Sequence, residues 1–160
     1  MSPVTARNPH EDDRVDEVSA DAGETVGALL TEIDHIAIAV HDLGEAIDTY
    51  RETFGAIVEH REVVESDGVE EALLKVAESY IQLLTPIRDD SPVAKAIEKR
   101  GEGLHHVGYR VDDAAVALES MVAAGATPID KAPRPGSRGT TVAFIHPKGS
   151  FGTLIELVQE

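Results

Sequence analysis

The sequence predicts an α+β fold in which two similar halves, each strand–helix–strand–strand–strand, share one curved eight-stranded sheet with a pocket on its concave side. Two observations lead there. The first is an internal repeat. The stretch Ile33-Asp34-His35-Ile36-Ala37-Ile38-Ala39-Val40 returns as Leu104-His105-His106-Val107-Gly108-Tyr109-Arg110-Val111, with His35 and His106 aligned 71 residues apart. Phe54-Gly55-Ala56 returns as Ala124-Gly125-Ala126, and Gln82-Leu83-Leu84 as Glu156-Leu157-Val158. A repeat of this length means one supersecondary unit used twice. The second observation is that the apolar period runs from two, to 3.6, and back to two within each copy.

Residues 1–32 read as an acidic, disordered tail, with Pro3, Pro9, Gly23 and Gly27 and no sustained apolar period. The first module spans 33–87. Ile33–Val40 alternates and is β-branched, a strand. Asp42 with Glu45 forms a capping box, and Leu43, Ile47, Tyr50 and Phe54 then recur at helical spacing until Gly55 stops the helix. Strands follow at Ile57–Val64, Val69–Val76 and Tyr80–Thr85. In the connector, 88–103, Ser91 caps a short helix begun by Pro92. The second module, 104–160, repeats the order: strand Leu104–Val111, helix Asp113–Ala124, then strands near Thr127–Asp130, Thr140–Ile145 and Gly152–Val158. The Pro- and Gly-rich stretch Pro133–Gly139 between them is a loop.

Composition narrows the function. The 160 residues carry 30 acids against 14 bases, a formal charge of −16. A surface of that sign does not bind nucleic acid, whose phosphates need basic groups. It fits a well-solvated protein, or one adapted to high salt. Cysteine is absent, which removes disulfides, thiolate sites and Cys nucleophiles. No stretch has the apolar length of a membrane span, and the first residues lack the pattern of a targeting signal. A cytoplasmic protein is expected.

The pleat assigns faces. Ile36, Ile38 and Val40 point to the helix side, and His35, Ala37 and Ala39 to the pocket. In the second module His106, Gly108 and Arg110 point to the pocket, while His105 points away and reads as structural. Small residues beside each histidine leave room for a ligand. His35, Gln82, His106 and Glu156 therefore stand as four ligand-type residues at matched positions of a repeat, a set suited to one divalent ion. Co²⁺, Mn²⁺, Ni²⁺, Zn²⁺ and Mg²⁺ all accept such ligands. One carboxylate among three neutral donors leaves the site net positive, a Lewis acid for an anionic intermediate.

From Ile33 to Gln159 the chain resembles the vicinal-oxygen-chelate superfamily, and within it the methylmalonyl-CoA epimerases. The resemblance rests on Ile33-Asp34-His35, Gly68-Val69-Glu70-Glu71, Gln82-Leu83-Leu84-Thr85-Pro86, Asp90-Ser91-Pro92-Val93-Ala94-Lys95, Gly103-Leu104-His105-His106 and His146-Pro147-Lys148-Gly149-Ser150, followed by Gly152-Thr153-Leu154-Ile155-Glu156-Leu157. It implies two βαβββ modules paired into an open, U-shaped barrel-like sheet, and a metal held by His35, Gln82, His106 and Glu156. The implied activity is interconversion of the (R) and (S) forms of methylmalonyl-CoA through a metal-stabilised enolate, in a homodimer. It also implies Glu71 as catalytic base, since Glu71, Leu73 and Lys75 share a strand face, with Glu156 as the second catalytic group.

The acyl-CoA substrate carries phosphates, so local cations are needed. Arg134, Arg138 and Lys148 near the Gly-rich loop, and Lys95, Lys99 and Arg100 in the connector, are candidates. Ser137, with N–H groups near Gly136 and Gly139, is a candidate for the substrate carboxylate. A glyoxalase I-type lactoylglutathione lyase is the alternative enzyme, although that family normally has Glu where Gln82 stands. A ring-cleaving dioxygenase uses two His and one Glu, so a fourth protein ligand argues against it. A metal-free small-molecule-binding protein is the alternative outside catalysis.

Overall fold

The computed structural model describes residues 26–160, so the tail expected at 1–32 lies outside the described residues as far as residue 25. Strand β1 (Leu30–Ala39) begins three residues before the expected start. Helix α1 (Leu43–Phe54) follows, capped by Asp42, whose carboxylate accepts from the Glu45 N–H; Gly55 ends it in the left-handed conformation. Strands β2 (Ile57–Val64), β3 (Val69–Val76) and β4 (Ser79–Pro86) complete the first module. The connector helix α2 (Pro92–Arg100) is capped by the Ser91 side chain, as its sequence requires. The second module holds β5 (Gly103–Val111), α3 (Ala114–Ala123), β6 (Arg134–Pro135), β7 (Thr141–Ile145) and β8 (Leu154–Gln159).

All eight strands form one sheet in the order β2-β3-β4-β1-β5-β8-β7-β6. Each module pairs its first and last strands in parallel, β1 with β4 and β5 with β8. The two modules meet where β1 and β5 run antiparallel. This is the paired βαβββ arrangement of an α+β half-barrel. Among the described residues no helix is long and apolar enough to cross a membrane.

Burial follows the alternation of the strands. Ala72, Leu74 and Leu83 pack outward against Leu43 and Ile47 of α1. Ala143, Ile145 and Leu157 do the same against Ala114, Ala117 and Leu118 of α3. A third cluster lies on the inner side, where Val93 and Ile97 of α2 cover Ala37, Ala39, Val69 and Leu84. The residues left over on the inner face are polar, and they make the site.

Two expectations need correction. The strand near Thr127–Asp130 is only an isolated bridge between Pro128 and Ile145. The Ile129 N–H donates to the Phe144 carbonyl, but the Asp130 carboxylate, instead of a backbone carbonyl, accepts the Phe144 N–H, so the ladder goes no further. The eighth strand is instead the two-residue β6, inside the stretch read as a loop. The outward placement of His105 also fails. Between Ala37 and Ile38 the partner on β5 advances from His106 to Leu104. His105 is thus the extra residue of a β-bulge, which breaks the alternation and brings it to the pocket wall. A matching bulge on β1 makes Asp34 the extra residue, since Ile33 pairs with Tyr109 and His35 with Gly108.

Small residues at the seam set the spacing of the site. Gly108 pairs with His35 on one side and Glu156 on the other. Ala37 likewise lies between Gln82 and His106. A Cβ on Gly108 would stand 2.5 Å from His35 Cε1 and 2.8 Å from Nδ1. Gly108→Ala is therefore expected to cost about 1–3 kcal/mol through overpacking, measured by urea denaturation. Unchanged stability would show that the ring does not rest on this glycine.

Candidate metal centre

β1, β5 and β8 deliver His35, His106 and Glu156 to one point on the inner face. His35 Nε2 and His106 Nε2 lie 3.1 Å apart. Glu156 Oε2 is 3.0 Å from the first and 3.1 Å from the second. All three residues are buried, and they form the one His/Asp/Glu cluster of metal-binding geometry among the described residues. Adjacent positions around a six-coordinate ion with bonds of about 2.1–2.2 Å are about 3.0 Å apart. The triangle has that size.

Gln82, on β4, supplies an independent test of fit. Its Nε2 donates to Glu71 Oε2 at 2.8 Å. That leaves Gln82 Oε1 buried with no hydrogen-bond partner, and Glu71 Oε1 likewise. Buried polar atoms without partners are costly, about 1–3 kcal/mol each. A cation beside the triangle would satisfy the first. The donor set, two imidazoles, a carboxylate and an amide oxygen, fits a divalent ion.

Each histidine is oriented from behind by the bulge residue that precedes it. Asp34 Oδ1 lies 2.7 Å from His35 Nδ1, and His105 Nδ1 lies 2.8 Å from His106 Nδ1. The electrostatics differ. Burial works against the Asp34 carboxylate, but hydrogen bonds from His35 and Arg110 and the charge of Arg138 hold it well below the usual carboxylate range. Burial pushes His105 down to about 3, helped by His106 and Arg100, so it is a neutral ring. Burial also opposes the charged form of His35, yet Asp34 and Glu156 outweigh it and push the imidazole up to about 9. Glu156 is brought down to about 2 because hydrogen bonds from His106 and His35 overcome its burial.

Glu71 behaves oppositely. Burial raises its pKa, contact with Ser137 offsets part of this, and the Glu62 and Glu156 carboxylates push further upward. It sits on the wall of a cavity of about 150 Å³ together with Gln82, His106, Glu156 and Ser137. Arg134 also lines that cavity, above the Phe144 ring at 5.5 Å, and is paired with Asp67 and Asp130. Arg138 does not line it: its guanidinium lies on Asp34 at 2.9 Å. Lys148 is exposed, and Lys95, Lys99 and Arg100 lie on the exposed side of α2. Asp34, which stands behind His35, is the residue near the triangle that sequence reasoning passed over. Its position directly before a candidate ligand histidine is the available signal.

Without metal, His35 keeps a proton up to about pH 9. Binding an ion near neutral pH must expel it. About one proton per ion is expected to leave, and apparent metal affinity to rise about tenfold per pH unit between about pH 6.5 and 8.5, levelling above about pH 9. Calorimetry in buffers of different ionisation enthalpy measures both. A pH-independent affinity would mean that His35 does not give up a proton to the ion.

The model of the Glyoxalase/Bleomycin resistance protein/Dioxygenase superfamily matches residues 34–144. The ethylmalonyl-CoA/methylmalonyl-CoA epimerase of Cereibacter sphaeroides is 36% identical over 133 residues, covering 82% of this chain and 99% of the relative. The crystal structure of methylmalonyl-CoA epimerase from Mycobacterium tuberculosis superposes with a TM-score of 0.78 at 38% identity, over 82% of this chain and 89% of that one. A Streptomyces coelicolor methylmalonyl-CoA epimerase variant in complex with 2-nitronate-propionyl-CoA gives a TM-score of 0.79 at 42% identity, over 82% and 98% of the two chains. With two His and a Glu converging at the module seam, and with relatives matched along nearly their whole length, the chain belongs to the glyoxalase/bleomycin resistance protein/dioxygenase superfamily.

Proposed function

We propose that this chain is a methylmalonyl-CoA epimerase that removes the C2 proton of its substrate with Glu71. The observation that carries the reading is the pairing of a buried, partnerless Glu71 oxygen with a buried metal-type triangle on one cavity wall. Epimerase relatives at 36–42% identity support the substrate. The ligand named in the Streptomyces complex is itself an acyl-CoA, which supports that class of substrate here.

Gln82 holds Glu71 by one oxygen, so the other faces the cavity. When the C2–H bond breaks, the proton goes to that oxygen and the electron pair delocalises into the thioester. The raised pKa of Glu71 suits this work, because a base nearer neutrality accepts carbon-bound protons more readily. A divalent cation held by His35, Gln82, His106 and Glu156 supplies the positive charge that lowers the cost of the enolate. Co²⁺, Mn²⁺, Ni²⁺, Zn²⁺ and Mg²⁺ are the candidates. Glu156 is the proposed second catalytic group, on the other side of the substrate; being ionised near neutral pH, it takes up a proton from solvent before returning one to C2, and Glu71 is the stronger base of the two. Ser137, lining the cavity beside Glu71, is proposed to bind the substrate carboxylate. A cavity of about 150 Å³ receives the acyl end. Coenzyme A then extends outside, toward Arg134 and the exposed Lys148. Arg138, engaged by Asp34, serves the reading as a buttress of this loop.

The amide at position 82 separates this reading from the lactoylglutathione lyase. A carboxylate there would face the Glu71 carboxylate at hydrogen-bond distance. A cytoplasmic location goes with the reading and is supported by the cysteine-free composition. So does a homodimer: Ile33, Ile36 and Leu104 on the two central strands are 57%, 37% and 53% exposed, apolar surface that a second copy would cover. Analytical ultracentrifugation is expected to give twice the chain mass, and a single-chain mass at micromolar concentration would remove the dimer.

The deciding experiment is proton NMR with 2-methylmalonyl-CoA in deuterated water. C2 exchange is expected with divalent metal, and to vanish with chelator. Glu71→Gln is expected to slow it by about 10²–10⁴-fold while leaving metal affinity within a few-fold. Failure of the metal-loaded wild type to exchange the proton would falsify the epimerase reading.

A further inference from the structure

We propose that Asp34 is a positioning residue that fixes the His35 ring for its metal, and that Arg138 ties this orientation to the loop bearing Ser137. The proposal rests on the reading of His35 as a metal ligand. A cation needs the lone pair on Nε2, so the ring must carry its proton on Nδ1. Asp34 Oδ1, 2.7 Å from Nδ1, accepts that proton's hydrogen bond.

Asp34 is 3% exposed and is itself clamped. Its Oδ1 also accepts from Arg138 Nη2 at 2.9 Å. Its Oδ2 accepts from Arg110 Nη2 at 2.6 Å and Nε at 3.0 Å. Arg110 is held in turn by Glu32 at 3.1 Å and Glu160 at 2.7 Å. Arg138 adopts φ 55°, unusual for a residue with a side chain. Its N–H donates to Glu62 Oε1 at 2.6 Å, which secures that conformation from β2. The residue before it, Ser137, lines the cavity. One carboxylate therefore joins β1, β5 and the loop behind a ligand histidine. The equivalent histidine, His106, has the neutral His105 in that place, so the clamp belongs to one half only.

The test uses the whole protein, with Co²⁺ as the titrant in calorimetry and ¹⁵N-histidine NMR of the Zn²⁺-loaded protein to report the His35 tautomer. Asp34→Ala is expected to weaken Co²⁺ binding by about 10- to 100-fold and to remove the single Nδ1–H form of His35. Asp34→Asn, which keeps an acceptor oxygen without the charge, is expected to fall between. Arg138→Ala is expected to weaken binding in the same direction by a smaller factor, and Arg138→Lys to recover part of it. These two variants carry the test if Asp34→Ala does not fold. Folded variants that bind Co²⁺ as the wild type does, with His35 keeping its Nδ1–H signal, would overturn the proposal. Wild-type protein that binds no Co²⁺ would instead remove the metal-ligand reading beneath it.

Discussion

The pairing of β1 with β5 is the constraint on which the site depends. Every metal-type ligand belongs to one of these strands or to the strand paired in parallel beside it. Backbone hydrogen bonding fixes neighbouring strands about 4.8 Å apart, so side chains that must meet two strands away need something small between them. Gly108 and Ala37 fill those two positions. The module cores behind the sheet, around α1 and α3, keep the two halves rigid, and neither core has to supply a site residue.

The bulges complete what the small residues begin. A regular strand would turn the residue before each histidine to the other face. The extra residue at Asp34, and again at His105, instead lets each stand behind its neighbour's Nδ1. The duplicated scaffold is thus nearly symmetric in backbone and asymmetric in charge. One ring leans on an ionised carboxylate held by two guanidinium groups, and the other on a neutral imidazole.

Much of this was legible in the chain. The repeat offset exposed His35 and His106 because duplication preserves position, and the change of period exposed the modules because helices and strands bury different spacings. Gly108 and Ala37 were readable as space. What was not legible depended on geometry that has no local signature. Strict alternation misplaced His105, since nothing in Gly103-Leu104-His105-His106 distinguishes a bulge from a regular strand. Thr127–Asp130 has strand-like letters, but the Asp130 side chain takes the Phe144 N–H that the ladder would need. The Asp34 clamp requires Arg138, 104 residues distant, and long-range ion pairs leave no periodic trace. The engagement of Arg138 with Asp34 is invisible from its own neighbourhood in the sequence.

Gln82 carries a consequence for how such a protein can drift. A primary amide has one accepting end and one donating end, and here the donating end is committed to Glu71 while the accepting end is buried without a hydrogen-bond partner. A carboxylate at position 82 would set like charges against Glu71. Positions 71 and 82 are therefore coupled, and a descendant that placed a carboxylate at position 82 would have to change position 71 with it.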